Sequence, residues 1–233
     1  MREHYQYAMP VEELCQRYSK LYSGVLYDIM DRMGLPRQAL ASDIKPLNRD
    51  WIVAAPAFTV KGIPDTSANK NLRSRRVNLF KDMKDLGMPV IDVRDCSFDI
   101  QVAHYGEMNA VMDRYGGAAG AVIDGGCRDS RFILNMNHPT FCRYQSPIEA
   151  YQRWSYYEWQ VPVGLRGALS SVVPVRPGDF IFGDLDGVVV VPKEQCVEIL
   201  LKAERLVEEE TAARGELLAG HDPVEVYRKY GKM

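Results

Sequence analysis

The chain has 233 residues, of which 46% are hydrophobic and 26% charged, a composition typical of a globular protein with a sizeable core. Its formal net charge of −2 gives no electrostatic reason to expect nucleic acid or an anionic membrane as a partner. No apolar stretch without charges has the length of a membrane span, and the first residues lack the apolar run of a secretory signal. We therefore expect one domain over residues 1–233, located in the cytoplasm.

The first part of the chain predicts two helices, Val11–Tyr22 and Ser23–Met33. Ser23 is expected to cap the second helix and Gly34 to end it. The stretch Trp51–Val60 predicts a pair of short strands that Pro56 interrupts.

The next part predicts a surface loop, a helix and a strand. The polar stretch Asp65–Arg76 is the expected loop, and it leads into a helix with Val77, Phe80 and Met83 on one face. A strand follows over Met88–Val93.

A glycine-punctuated unit over residues 106–129 is the most informative stretch. A helix is predicted over Glu107–Tyr115, with a buried face made by Met108, Val111, Met112 and Tyr115. The strand Ala118–Ile123 follows, the sequence Asp-Gly-Gly at 124–126 is expected to break it, and Arg128-Asp129 opens a second helix that continues to Asn137. Such a unit gathers functional groups at one edge of a sheet, so Glu107 and the Arg128-Asp129 pair are expected to converge.

Each of these three residues also has a purely structural interpretation. Glu107 is an acid in the first turn of a helix, where the helix dipole favours it. Asp129 has the position of an N-cap that accepts a backbone N–H, and Arg128 could be an ordinary solvated arginine. The glycine turns on both sides fix the shape of the loops and favour the functional interpretation.

The last part of the chain changes character twice. Seven aromatic residues between positions 141 and 159 predict a packed interface with another protein, and a lid that faces the substrate is the alternative: Phe141, Tyr144, Tyr151, Trp154, Tyr156, Tyr157 and Trp159. Strands are then predicted over Ser171–Val175, Asp179–Phe182 and Val188–Val191. The Asp-x-Asp-Gly between the last two favours a turn over a cation loop. Helices over Lys193–Ala219 and Pro223–Lys229 complete the chain.

The five cysteines, Cys15, Cys96, Cys127, Cys142 and Cys196, lie far apart and form no C-x-x-C pair. They predict neither a disulfide framework nor a structural zinc site. Cys127 stands beside Arg128, but no histidine is close in sequence to activate it, so a small packing residue is the favoured interpretation.

These motifs resemble a known family. Glu107, twenty intervening residues and then Arg128-Asp129 are similar to the acid-x20-Arg-Asp signature of class II pyruvate aldolases of the 4-hydroxy-4-methyl-2-oxoglutarate aldolase type, which share a fold with RraA-like regulators of ribonuclease activity. The stretches GVLYDIMDRMGL, AAGAVIDGGCRD and PGDFIFGDLDGVVVVP also match in kind. The resemblance implies an α/β fold, an α-β-β-α sandwich of the RraA-like (swivelling β/α) type, with N-terminal helices and a C-terminal helical extension. It also implies a homotrimer or homohexamer with active sites between subunits.

The resemblance assigns roles to individual residues. Arg128 matches the arginine that binds the pyruvyl carboxylate and the enolate oxygen, and Asp129 matches the carboxylate that holds Mg²⁺ or Mn²⁺. Glu107 stands where the family has an aspartate that orients metal-bound water. The backbone amides of Met108 and Asn109, which follow Gly106 in the substrate site, are expected to face the oxyanion.

Two further residues are assigned by position in the chain. Arg153 is the expected counterpart of a basic residue that follows the signature in the aldolases. Glu210 is the expected carboxylate supplied by a neighbouring subunit.

The expected activity is a metal-dependent lyase that cleaves a 4-hydroxy-2-oxo acid to pyruvate and a second carbonyl compound, and decarboxylates oxaloacetate as a side reaction. The alternatives are a non-catalytic RraA-like regulator that binds proteins, and another metal-dependent lyase or hydrolase that acts on an aromatic or sugar acid. Nucleotide binding is disfavoured, because the glycine-rich GGAAG precedes a strand instead of following one.

Overall fold

A computed structural model describes residues 2–67 and 70–231. The helices are α1 (Val11–Tyr18), α2 (Ser23–Arg32), α3 (Lys70–Leu86), α4 (Glu107–Gly116), α5 (Ser130–Met136), α6 (Cys196–Leu218) and α7 (Pro223–Tyr230). The strands are β1 (Lys45–Pro46), β2 (Val53–Pro64), β3 (Val90–Asp95), β4 (Ala103–Tyr105), β5 (Ala118–Cys127), β6 (Thr140–Gln145), β7 (Trp154–Trp159), β8 (Val163–Leu165), β9 (Val173–Val175), β10 (Phe180–Gly183) and β11 (Val188–Val191).

Most of the described strands form one nine-stranded sheet with the order β1-β6-β5-β3-β2-β10-β11. Strand β4 pairs with β5, and β7 pairs with β2. The central strands β2, β3, β5 and β6 are parallel, whereas β10 is antiparallel to both β2 and β11. Parallel neighbours need a crossover connection, and here the helices α3, α4 and α5 provide it. Strands β8 and β9 form a separate antiparallel pair.

Three hydrophobic clusters show how the layers are stacked. One cluster lies between the parallel strands and α3, α4 and α5, and includes Phe58 and Phe80. A second lies between β10, β11 and the helices α1, α2 and α6. The third contains residues of β2, β3, β5 and β6 together with residues of β8 to β11, so it lies between sheet layers. This arrangement is the predicted α-β-β-α sandwich.

The strands alternate between two buried faces, as a sheet covered on both sides requires. In β10, Phe180 and Phe182 pack against the helices α1, α2 and α6, whereas Ile181 packs in the cluster between the sheet layers. All four residues of β11 are buried as well. Such strands have an apolar sequence without polar alternation, which is why they were recognisable as strands from composition alone.

The predicted break at Pro56 is wrong, because β2 runs without interruption from Val53 to Pro64. The pairing of β2 with β3 begins at Ala57, one residue later. The missing N–H of Pro56 therefore falls outside the paired stretch on that side of the strand.

The predicted loop over residues 65–76 is also mostly wrong, because α3 begins at Lys70. Ala68 and Asn69 lie outside the described residues. Lysine, leucine and arginine are good helix formers, so a polar sequence here does not prevent helix formation. Ser74 and Arg75 are exposed.

The break predicted at residues 124–126 is wrong, because β5 continues to Cys127. A Cβ atom added at Gly125 would lie 2.4 Å from Nδ1 of His104. The glycine at this position therefore permits close packing and does not mark a turn.

The cap of α2 differs from the prediction. Ser23 is the first residue of the helix, and both its N–H and its hydroxyl donate to the Asp184 carboxylate at 2.8 Å. Asp184 also accepts from the amides of Asp186 and Gly187 within the turn between β10 and β11. This confirms the turn interpretation of the Asp-x-Asp-Gly sequence.

The helix α4 buries a different face from the predicted one. Its buried residues are Ala110, Asp113 and Gly116, whereas Met108 and Tyr115 are each 59% exposed. The small residues allow close approach to α3, where a Cβ at position 116 would lie 2.8 Å from Sδ of Met83. Met108, Val111 and Tyr115 are left on the surface of the chain, whereas Met112 is half-buried against the core.

The aromatic segment mostly packs within the chain, so the interface prediction is wrong for most of it. Phe141, Trp154 and Tyr156 are buried in the core, Tyr144 and Trp159 are half-buried, and only Tyr151 and Tyr157 are exposed.

None of the described helices combines the length and the apolar character that crossing a membrane would require.

Candidate functional site

A cavity of about 200 Å³ opens where the N-terminus of α4 meets the turn between β5 and α5. Gly106, Met108, Asn109, Arg128 and Asp129 form this side of the cavity. The rest of the lining is formed by β7 and the preceding loop, together with parts of α3 and β4: Arg76, Ala103, His104, Tyr105, Glu149, Ala150, Tyr151, Gln152, Trp154, Ser155 and Tyr156.

Gly106 brings the two predicted parts of the signature together. A Cβ atom at this position would lie 2.8 Å from Oδ2 of Asp129 and 3.0 Å from Cγ of Arg128. Its φ of −169° is extended backbone that any residue can adopt, so the space, and not the backbone conformation, requires glycine. Because Tyr105 accepts the N–H of Arg128 at 2.9 Å, the strand before α4 is tied directly to the turn after β5.

Arg128 and Asp129 form an ion pair on the cavity wall. Nε of Arg128 lies 3.3 Å from Oδ2 of Asp129, and the two side chains are 36% and 37% exposed. Asp129 has a left-handed backbone with φ of 58°, and its carboxylate makes no cap hydrogen bond to α5. Asp129 thus occupies the predicted N-cap position, but its carboxylate accepts no N–H of the helix and is left available for a ligand.

The N-terminus of α4 offers fewer backbone donors than predicted. The N–H of Asn109 donates to the Gly106 carbonyl at 2.9 Å, so the expectation that this amide faces an oxyanion is wrong. The N–H of Met108 donates to no described residue. Because the first amides of a helix have no partner within the helix, Met108 keeps a donor that an anion can use.

Three predicted residues are not among those that line the cavity. Glu107 is the first residue of α4 and is half-buried beside Gly106. Arg153 is exposed, and its Nη1 donates to the carbonyls of Glu149 and Tyr151, so it holds the loop before β7 and does not reach the cavity. Glu210 lies on α6 and accepts a hydrogen bond from the Tyr22 hydroxyl of its own chain.

Besides Arg128, the basic side chain that lines the cavity is Arg76. It lies in the part of α3 that the sequence predicts to be a loop. His104 was also missed. Its Nδ1 accepts the N–H of Gly126 at 3.1 Å, and its Nε2 lies 3.1 Å from Oδ2 of Asp99. Burial lowers the pKa of His104 to about 4, so the imidazole is neutral at pH 7. His104 forms part of the cavity wall, with Nδ1 bonded to Gly126 and Nε2 facing Asp99.

Beneath the cavity lies a fully buried ion pair. Arg94 and Asp92 are both inaccessible to solvent, and two guanidinium nitrogens donate to Oδ2 of Asp92 at 2.9 and 2.6 Å. Burial raises the pKa of Asp92 to about 7, and the guanidinium opposes that rise. The sequence carries a signal for this pair, because Asp92 and Arg94 stand two residues apart in the strand VIDVRD and alternate residues of a strand share a face.

The pair is connected to the cavity through Tyr156. Nη1 of Arg94 donates to the Tyr156 hydroxyl at 2.7 Å, and that hydroxyl donates to Oδ1 of Asn109 at 2.7 Å. Burial raises the pKa of the Tyr156 phenol, with Arg94 opposing, so the hydroxyl keeps its proton at neutral pH. Trp154 packs edge-on against both Tyr156 and His104 at 5.1 Å between ring centroids.

The fold and the cavity define an α/β sandwich protein with an arginine, a carboxylate and a helix N-terminus at one site. The chain belongs to the RraA-like family, since the family described as "RraA-like: Aldolase/RraA" matches residues 24–190. It is similar to a Halalkalibacterium halodurans protein that carries the provisional name 4-hydroxy-4-methyl-2-oxoglutarate aldolase, with 36% identity over 71% of this chain and 72% of that protein.

Solved structures show the same fold. One, titled as novel cellulases from microbes of the gut ecosystem, has a TM-score of 0.80 and 33% identity, and the match covers 89% of each chain. Another is Streptomyces coelicolor RraAS2, described as an unusual member of the RNase ES inhibitor RraA protein family. It has a TM-score of 0.74 and 23% identity over 90% of this chain and 99% of that chain, which supports the fold alone.

Proposed function

We propose that this protein is a divalent-metal-dependent carbon–carbon lyase that cleaves a 4-hydroxy-2-oxo acid to pyruvate and a second carbonyl compound, and that it also decarboxylates oxaloacetate. The observation that carries the proposal is the contact of Gly106 with the Arg128–Asp129 pair, which places an arginine, a carboxylate and a helix N-terminus at one cavity. The provisional aldolase name of the relative at 36% identity agrees with it.

The chemistry requires stabilisation of an enolate. Breaking the bond between C3 and C4 leaves its electron pair on the pyruvyl fragment as an enolate, while the C4 hydroxyl loses its proton and becomes a carbonyl. The planar guanidinium of Arg128 can donate to the C1 carboxylate and the C2 oxygen together. The N–H of Met108 adds a donor at the positive end of α4.

Asp129 fits a magnesium or manganese ion better than a zinc ion. Its carboxylate stands in a cavity whose wall is rich in polar groups, and among the described residues no group of three or more His, Cys, Asp or Glu side chains could hold a metal. Mg²⁺ commonly binds through one or two carboxylates and keeps several waters. Such an ion, held by Asp129, supplies a Lewis acid for the negative charge on the C2 oxygen.

Glu107 is the proposed acceptor of the C4 hydroxyl proton. It follows Gly106 directly but does not itself line the cavity, so we propose that an intervening water carries the proton. The same residue would return a proton to C3 of the enolate. Loss of CO₂ from oxaloacetate leaves the same enolate, so decarboxylation uses the same donors.

The direct test is a pyruvate-release assay over a panel of 4-hydroxy-2-oxo acids and oxaloacetate, run with Mg²⁺, with Mn²⁺ and after exhaustive chelation. We expect release that depends on the metal. Release that survives chelation would refute the metal-dependent mechanism. No release from any panel member with either metal would favour the regulator, or a lyase or hydrolase that acts on an aromatic or sugar acid.

We also propose a cyclic homo-oligomer, a trimer or two stacked trimers. The described surface of α4 and α5 exposes Met108, Val111, Tyr115 and Phe132, each between 44% and 59%. Large apolar side chains grouped beside a candidate site are typical of a surface that another subunit covers. Light scattering should give a multiple of three chains, and Val111→Glu should dissociate them, whereas a monomeric wild type would contradict the proposal.

The neighbouring subunit is proposed to supply Glu210. If it does, mixing inactive Asp129→Ala chains with inactive Glu210→Ala chains should restore part of the activity, because some interfaces then pair two intact residues. An oligomer in which Glu210→Ala is fully active would remove Glu210 from the site and leave the assembly unaffected.

A further inference from the structure

A chain of hydrogen bonds with a fixed direction ends at the side-chain amide of Asn109. The chain starts at Arg94, whose Nε and Nη2 are taken by Asp92 and whose Nη1 donates to the Tyr156 hydroxyl and to the His104 carbonyl. A guanidinium has only donors, so the Tyr156 oxygen must accept. The rings of Tyr105 and Tyr156 lie 4.7 and 5.1 Å from the guanidinium carbon and confine it further.

The direction continues through Tyr156. Its oxygen accepts from Arg94, and its single O–H proton must then be donated to the acceptor 2.7 Å away, which is Oδ1 of Asn109. The opposite amide orientation would place the Asn109 NH₂ against this hydroxyl and would leave a buried O–H without an acceptor, which is costly. The hydrogen bonds therefore fix which end of the amide faces Tyr156.

The other end of the amide is left for a ligand. Asn109 is half-buried and lines the cavity, and its Nδ2 forms no hydrogen bond to any described residue. The backbone N–H of the same residue is already donated to Gly106. The side chain of Asn109 thus supplies the donor that its backbone cannot.

We infer that the Asn109 amide is a substrate-binding group, oriented by Tyr156 and Arg94 so that its NH₂ is presented to an anionic or carbonyl oxygen of the bound ligand. The inference rests on the proposed function in taking this cavity as the substrate site. It extends that function by adding a side-chain donor to Arg128 and the Met108 amide. Tyr156 and Arg94 are positioning residues, since they act through Asn109.

The sharpest test is Asn109→Asp, because it changes the donor to an acceptor with the same shape. Tyr156 can still donate to one carboxylate oxygen, and an acid in the first turn of a helix is favourable, so the variant should keep the wild-type melting temperature. The second oxygen would face the ligand with a negative charge and no proton. Binding of oxalate, a planar dianion similar in shape to a pyruvate enolate, should weaken about 100-fold at pH 7.5 in calorimetry with Mg²⁺ present.

Two further variants make the result specific. Asn109→Ala only removes the donor, so it should weaken oxalate binding by about 10-fold, but it leaves the Tyr156 hydroxyl unpaired and should melt earlier than wild type. The affinity for oxalate should thus fall in the order wild type, Asn109→Ala, Asn109→Asp, whereas the melting temperature should be lowest for Asn109→Ala. Asn135→Asp, at an exposed position on α5 that does not line the cavity, is the control for added negative charge and should bind as wild type.

The pH dependence of oxalate affinity distinguishes the loss of a donor from a structural defect. As the pH falls towards about 4, the aspartate of Asn109→Asp gains a proton that it can donate. The affinity ratio of wild type to variant should therefore shrink, whereas the ratio for Asn109→Ala should stay constant.

The outcomes are separable from those of the lyase assay. Wild-type binding of oxalate at pH 7.5 by Asn109→Asp would overturn the inference, and so would the absence of oxalate binding to the wild-type chain. If the wild type binds oxalate and the variants follow the expected order, but no pyruvate is released from any substrate, the donor role of Asn109 stands and the lyase proposal fails.

Discussion

The two sides of the cavity are built in opposite ways. The side formed by the Arg128–Asp129 pair is more than one-third exposed, and its charges face the cavity. The side formed by Tyr156 rests on Arg94 and Asp92, which are inaccessible to solvent. A partly exposed ion pair contributes little to stability, whereas removing one partner of a buried pair leaves an uncompensated charge. We therefore expect the first side to determine activity alone and the second to determine both stability and activity.

Arg94→Met should have the largest effect on stability. It removes the cationic partner of a carboxylate at 2.6 Å and leaves Asp92 buried without a compensating positive charge. We expect the free energy of unfolding, measured by chemical denaturation, to fall by about 3–5 kcal/mol. Arg32→Met, at an exposed ion pair of α2, is the control and should change it little. Equal stability of the two variants would contradict the contrast between the two sides.

Asp129→Asn should reduce activity most while preserving the fold. Asparagine tolerates the left-handed backbone of this position but lacks the anionic oxygen that a hard cation requires. Pyruvate release should fall by at least about 100-fold, with the melting temperature close to that of the wild type. Asp186→Asn, at an exposed turn position, serves as the control. A variant that keeps normal turnover would show that Asp129 holds no ion.

Arg128→Lys should be impaired by roughly 100-fold in pyruvate release, because lysine keeps the charge but loses the two-pronged geometry. The melting temperature should not change, because the Arg128 side chain is 36% exposed. The matched control is Arg131→Lys on the exposed surface of α5. Near-normal turnover by Arg128→Lys would mean that this residue does not bind the carboxylate and the enolate oxygen together.

A smaller effect should appear in the pH dependence of stability at a buried carboxyl away from the cavity. Burial raises the pKa of Asp124 from 3.8 to about 7, with Arg143 opposing the rise. The folded state therefore holds a proton that the unfolded state has lost, so this group's contribution to stability falls as pH rises from about 4 to about 7.

Asp124→Asn removes that contribution. The difference in unfolding free energy between wild type and variant should therefore change by up to about 1.4 kcal/mol per pH unit within this window. Taking the difference cancels the opposite trend from His104 and His138, whose pKa values burial lowers to about 4. A difference that is flat from pH 4 to pH 7 would show that Asp124 is ionised throughout.

The contrast between the two sides of the cavity also explains which features the sequence could predict. Local rules predict that the start of α4 and the turn after β5 meet, because each lies at the end of a strand or the start of a helix in one unit. The residue in contact with Arg128 and Asp129 is Gly106, whereas the predicted Glu107 does not line the cavity. The sandwich layers follow from apolar strands and amphipathic helices, with the family resemblance supplying their arrangement.

What could not be predicted depends on contacts between distant parts of the chain. Arg94 and Tyr156 are 62 positions apart, and no local pattern pairs them. The buried face of α4 was misassigned because small residues, and not the large apolar ones, lie against α3. Glycine can signal either a turn or close packing, and at Gly125 only the position of His104 distinguishes the two.

The close packing of Asp129 and Arg128 against Gly106 limits how this protein can vary. In a library of all substitutions, position 106 should retain activity with glycine alone, since even the smallest side chain would collide with Asp129 and Arg128. Gly34, which ends α2 with φ of 80°, has nothing within 4 Å of an added Cβ, so asparagine and aspartate should be accepted there. Two glycines are thus under different selection: one by the space that its neighbours occupy, and the other by its own backbone.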